Sequence, residues 1–81
     1  MNLNRKLSYH SEGSLMLVTG KGKLREIFVP FQVRCKQPIG ILKINTIVYV
    51  DAVSQSDEHR ILYKVLGQWL PYGHFQLVVQ Y

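Results

Sequence analysis

Residues Arg60–Val78 read R-I-L-Y-K-V-L-G-Q-W-L-P-Y-G-H-F-Q-L-V. An apolar run of strand length ends at Gly67, a tryptophan-led run ends at Pro71, and a third run opens at Phe75. Two strands about a one-glycine turn, then a proline-aromatic corner and a final strand, close a small β-barrel. Proline pre-sets φ for the first position of a 3₁₀ turn, so Pro71-Tyr72-Gly73-His74 is where one such turn is expected.

Working back toward the N-terminus, the punctuation is that of hairpins. Ser14–Thr19 is an apolar run of strand length, and Gly20-Lys21-Gly22 supplies the positive-φ positions of a tight connection to Lys23–Val29. Pro30 cannot donate to a ladder, which argues for an edge position, or a bulge and bend, before a strand that continues from Phe31 to Cys35. In that stretch Ile27, Val29, Phe31, Val33 and Cys35 share one face, while Glu26, Gln32 and Arg34 point the other way. Gln37-Pro38-Ile39-Gly40 reads as a loop and Thr46–Val53 as a β-branched strand. Ser54–Glu58 reads as a solvated turn before His59–Val65. No window of a dozen residues carries a 3.6-residue apolar stripe free of glycine, proline or a β-branched run, so no helix longer than a turn is expected. Residues 1–6 read as a frayed terminus.

At 81 residues the chain holds one domain, because a core of this size already buries only roughly 60–65% of the unfolded surface. Hydrophobic content of 47% against 19% charge excludes a disordered tail. The apolar runs fall far short of the ~18 residues of a membrane span, and no stretch has the form of a signal peptide. A single cysteine cannot make an internal disulfide, and small secreted domains usually carry several. A cytoplasmic setting is therefore expected, with Cys35 as a buried, inert thiol.

From Val33 to Val78 the order V-R-C, a loop with Pro38 and Gly40, I-V-Y-V-D-A-V, a polar turn, I-L-Y-K-V, Gly67, W-L-P and F-Q-L-V resembles the small SH3-like barrels of bacterial and bacteriophage proteins. The resemblance implies a barrel of about five strands, with G-x-W-x-P-x-x-x-F supplying the distal turn, the short fourth strand, the 3₁₀ turn and the start of the last strand. The Ser14–Val29 hairpin lies outside that minimal pattern and is expected to cover an edge or to make a second surface. No function follows, because such barrels host peptide binding, nucleic-acid binding and purely structural roles.

Aromatic residues and charge supply the functional expectations. Tyr49, Trp69, Pro71 and Tyr72, with Tyr63 as a further candidate, fall where a binding groove would form, and rings of this kind concentrate interface energy. Trp69 fits either a core or a surface position, since indole is large and often mostly buried; Phe31 and Phe75 read as core. Arg5, Lys6, Lys21, Lys23, Arg25, Arg34, Lys36 and Lys43 precede Asp51 against only Glu12 and Glu26, and the sequence pI is about 9.6. This basic half makes nucleic acid the alternative partner, through Lys21, Lys23, Arg25, Arg34 and Lys36, the first three as a stripe along one strand. Three cations are few for tight binding. Eukaryotic-type proline-rich recognition needs an acidic first loop, whereas Gln37–Lys43 is basic.

Catalysis is not expected. His10, His59 and His74 are dispersed, no serine or cysteine stands in a nucleophile turn, and Asp57-Glu58-His59 reads as a turn tip. Gly20-Lys21-Gly22-Lys23 lacks the spacing of a phosphate loop. No cofactor or metal is expected. The sequence therefore supports an all-β, non-catalytic protein-interaction module or accessory subunit, with partner, process and oligomeric state open.

Overall fold

Alternation of buried and exposed side chains, broken by glycine, proline and polar turns, divides the chain into short strands. The computed structural model describes residues 6–18, 21–58 and 60–78. The strands are β1 (Lys6–Ser11), β2 (Ser14–Val18), β3 (Leu24–Phe28), β4 (Phe31–Cys35), β5 (Ile47–Val50), β6 (Ala52–Gln55), β7 (Ile61–Val65), β8 (Gln68–Pro71) and β9 (Phe75–Leu77), with one 3₁₀ turn at Tyr72–His74. The fold is all-β, and the 3₁₀ turn stands where Pro71 predicts it.

Three antiparallel sheets result, in the orders β1-β2-β3, β5-β4-β9 and β6-β7-β8. The break at Val29-Pro30, a cis peptide, passes the chain from the first sheet to the second. A second break at Asp51 passes it from the second to the third, so the expected Thr46–Val53 strand is two strands in different sheets. The Asp51 N–H donates to the Lys64 carbonyl at 2.9 Å, which carries the ladder across the bend. The polar turn is shorter than expected, because Ser54 and Gln55 belong to β6; His59 lies outside the described residues. No closed barrel is found among the described residues.

The N-terminal extension is a three-stranded meander rather than a hairpin. β1 pairs with β2 from Lys6↔Val18 to Ser11↔Ser14, and β2 with β3 from Ser14↔Phe28 to Val18↔Leu24. The period-2 pattern of Leu7 and Tyr9, half-buried between exposed Ser8 and His10, is short but sufficient for a strand. Of residues 1–6, expected to fray, Lys6 instead opens β1 by pairing with Val18, and residues 1–5 lie outside the described residues. The β1–β2 turn is anchored by the Val29 N–H donating to Gly13 at 2.9 Å and the Val53 N–H donating to Glu12 at 2.8 Å. The second bond reaches β6, so the meander covers an edge strand of the third sheet. The Glu26 carboxylate accepts from Ser14 Oγ at 2.8 Å and lies 3.3 Å from His10 Nε2, joining all three strands of the meander and satisfying the buried serine hydroxyl.

One apolar cluster runs through all three sheets. Leu15, Leu17 and Ile27 of the meander pack with Phe31, Val33 and Cys35 of β4, Val50, Val53, Phe75 and the inward side of β7. Phe31 and Phe75 are core, as expected. Cys35 has no exposed surface, and its thiol donates to the Gln37 carbonyl at 3.0 Å.

Cys35 should accordingly react slowly with a thiol reagent in native protein and rapidly in denaturant; fast native labelling would contradict the register of β4. Because Leu15 is fully buried in the shared cluster, Leu15→Ala should destabilise the whole domain by about 2–5 kcal/mol. A urea titration should show one shifted cooperative transition, whereas separate loss of the meander would show two.

Candidate functional site

Leu66 and Gly67 both take positive φ, 51° and 79°, which is the geometry of a two-residue type I′ hairpin turn. That turn fixes the register Val65↔Gln68, Lys64↔Trp69, Tyr63↔Leu70 and Leu62↔Pro71. Side chains alternate across a sheet, so buried Tyr63 puts Lys64 and its partner Trp69 on the outer face. Trp69 is 44% exposed, with the Lys64 ammonium 5.9 Å from its ring centroid, a cation–π arrangement worth about 0.5–1 kcal/mol at an exposed site. Trp69 is thus a surface residue. Pro71 sits exposed at the end of an edge strand, where a missing N–H disturbs no ladder.

Tyr72 follows on the 3₁₀ turn, 41% exposed, its ring meeting Tyr63 edge-on at 6.4 Å between centroids. Tyr63 in turn meets Phe31 edge-on at 5.5 Å and Phe75 at 6.0 Å. Tyr63 is therefore core and not a groove residue. Burial, with a smaller contribution from Tyr72, pushes its phenol above the ordinary value.

The remaining expected residues do not join this surface. Tyr49 lies on the outer face of the β5-β4-β9 sheet, opposite Gln32, whose Nε2 donates to the Tyr49 hydroxyl at 3.3 Å. Arg34 shares that face, opposite Ile47. Lys36 lies in the bend after β4, Lys21 and Lys23 in the connection between β2 and β3, and Arg25 in β3 opposite Leu17. Only Arg25 of the expected stripe is in a strand. The five cations are divided between two sheets and their loops rather than gathered in one groove.

A cleft absent from the sequence reading lies on the other side of β8. Ile39, Gly40, Ile41 and Leu42 form one wall, and Val65, Leu66, Gln68 and Leu70 the other, around a volume of about 160 Å³. Reciprocal bonds between the backbones of Ile39 and Leu42, at 3.2 and 2.9 Å, close a second two-residue turn with Gly40 at φ 57°. The stem of this loop is held by the His74 carbonyl, which accepts from Lys36 N–H at 2.7 Å. Ile41 is 85% and Leu66 65% exposed. The available signal is Leu66 at the first central position of a type I′ turn, where glycine, asparagine or aspartate is the rule; in the other turn Gly40 takes the positive φ and Ile41 only adds exposed aliphatic surface.

Among the described residues, no three His, Cys, Asp or Glu side chains come together as a metal site, and no helix is long and apolar enough to cross a membrane. No protein family, curated protein or solved structure matches the chain.

The native state holds the Tyr63 proton to higher pH than the unfolded chain does, so stability should fall as pH rises above about 10. Urea midpoints measured from pH 8 to 11 should show that fall in the native sequence. Tyr63→Phe, which removes the titrating hydroxyl, should flatten it; an unchanged slope would mean that the phenol is not perturbed by burial.

Proposed function

We propose that this chain is a non-catalytic protein-interaction module, or accessory subunit of a larger assembly, built on an SH3-like frame. The connectivity supports the frame. β4 is flanked by β5 and β9, β5 continues past Asp51 into β6, and β7, β8 and the 3₁₀ turn lead back to β9. The tight turn at Gly67, the short strand β8, the 3₁₀ turn and β9 follow one another in the succession the resemblance implies.

The observation that carries the function is the exposure of Trp69, Pro71 and Tyr72 along one edge strand and the turn after it. Both rings rest on a partner, Trp69 beside Lys64 and Tyr72 on Tyr63, so less side-chain freedom is lost when a partner docks. Tyr49 belongs to a separate face and is a secondary contact. Division of Lys21, Lys23, Arg25, Arg34 and Lys36 between two sheets weighs against a continuous phosphate-tracking groove. A lone, fully buried cysteine fits a reducing compartment, and we take the protein to work in the cytoplasm.

Immobilised native protein and a Tyr72→Ala variant should be compared for specific capture of protein partners, with thermal melts showing that both are folded. Tyr72→Ala should reduce capture about tenfold, because loss of an interface tyrosine of this kind costs more than ~1 kcal/mol. Submicromolar, salt-sensitive binding of a mixed oligonucleotide that survives Tyr72→Ala and is lost on neutralising Lys21 and Lys23 would replace this reading with the nucleic-acid one.

A further inference from the structure

We infer that the outer face of the β5-β4-β9 sheet is a second docking surface, for a partner protein that sets an aspartate or glutamate carboxylate on Arg34 and apolar side chains on Ile47 and Tyr49. It belongs to a different sheet from Trp69 and Pro71. It stands whether or not those residues engage a partner.

Strand pairing places its members. Arg34, on the central strand β4, has Ile47 of β5 on one side and Gln76 of β9 on the other, and the next row sets Gln32 opposite Tyr49. Alternation turns these five side chains away from buried Val33 and Cys35. Tyr49 stands diagonal to Arg34, a separation of about 7–8 Å, within reach of an aromatic ring and a guanidinium.

Two observations distinguish this face from an ordinary solvated exterior. An antiparallel strand with one wet face alternates apolar and polar residues, yet β5 is apolar throughout. Val48 and Val50 turn toward the core, while Ile47 and Tyr49 remain 47% and 56% exposed. The second observation is Arg34 itself. Its guanidinium carries five donors, is exposed, and makes no ion pair or side-chain hydrogen bond among the described residues. The Gln32 amide donates to the Tyr49 hydroxyl at 3.3 Å, which orients the ring before a partner arrives.

Charge on the face names the partner. Arg34 is the one charged side chain among the five that strand pairing places there, so a carboxylate that meets the guanidinium fork is its complement. Arginine and tyrosine are also residue types that concentrate interface energy. A second copy packed here about a two-fold axis would bring Arg34 toward its own counterpart, with no carboxylate on either face. One ring and one cation make too short a platform for a nucleic-acid strand, whose binders line several rings along a basic groove.

The probe is a displayed library of random dodecapeptides, selected on the native full chain and counter-selected on Arg34→Gln, with thermal melts showing that both are folded. Enriched peptides should carry an aspartate or glutamate beside an aliphatic or aromatic residue. Synthesised and titrated into the isotopically labelled native chain, they should move the Ile47 methyl and Tyr49 ring signals and leave the Trp69 indole signal in place. Replacing the peptide carboxylate by its amide, or making Arg34→Gln, should each weaken binding about tenfold, and both together little more than either alone. Arg34→Glu should lose these peptides and regain binding when lysine replaces their carboxylate. Failure to enrich any peptide that prefers the native chain over Arg34→Gln, or shifts centred on Trp69 and Tyr72, would overturn the assignment. So would shifts at Ile47 that depend on protein concentration without peptide, which would mean self-association, or stronger shifts of the same signals with a mixed oligonucleotide.

Discussion

The ring of Tyr63 touches Phe31, Phe75 and Tyr72, and those contacts join everything that surrounds the core of the C-terminal half. Tyr63 belongs to the β6-β7-β8 sheet, Phe31 and Phe75 to the β5-β4-β9 sheet, and Tyr72 to the turn that connects them. Two three-stranded sheets of three- to five-residue strands have little ladder with which to hold their mutual angle. A large ring meeting its neighbours edge-on supplies packing area and a directional preference at once. Burial there also favours the neutral phenol, so the position that organises the packing also carries the clearest electrostatic perturbation among the described residues.

The meander solves a different problem. A chain that switches between small sheets at Pro30 and Asp51 exposes edges at each switch, and β6 is one of them. The bond from Val53 to Glu12, with Leu15 and Leu17 inserted into the common cluster, covers that edge from the first sheet. The Ser14–Glu26–His10 contacts keep the three meander strands together while they do so. The extension is therefore part of the core rather than an appendage, and its sequence had to be apolar on one face for that reason.

Hairpin punctuation made much of this legible. Gly67, Pro71 and the alternation from Ile27 to Cys35 are local signals whose meaning does not depend on distant residues, and each stands as the residues imply. Trp69 could not be assigned, because Ile61, Leu62, Tyr63 and Val65 are all apolar and the run carries no face of its own. Its face was decided by the parity that a two-residue turn imposes on β8. The break at Asp51 was hidden for a similar reason: the β-branched run is continuous, and only the choice of partner strand on each side divides it. Side-chain type alone separates Tyr49 and Arg34 into different surfaces, whereas the pairing of β4 with β5 puts them on one face.

Each tight turn pairs a glycine with an aliphatic neighbour, Gly67 with Leu66 and Gly40 with Ile41. In a type I′ turn the first central position carries almost as strong a constraint as the second, and a leucine there departs from local chemistry. Local rules that a sequence breaks without a compensating contact are more informative about function than those it obeys. On that criterion the two sides of β8 differ in kind. The Trp69 side is stabilised by what it touches, a lysine ammonium and the strand pairing beneath it. The Leu66 side carries a leucine at positive φ and exposed aliphatic surface, so what holds that turn is the register of β7 and β8 and not burial of its side chain.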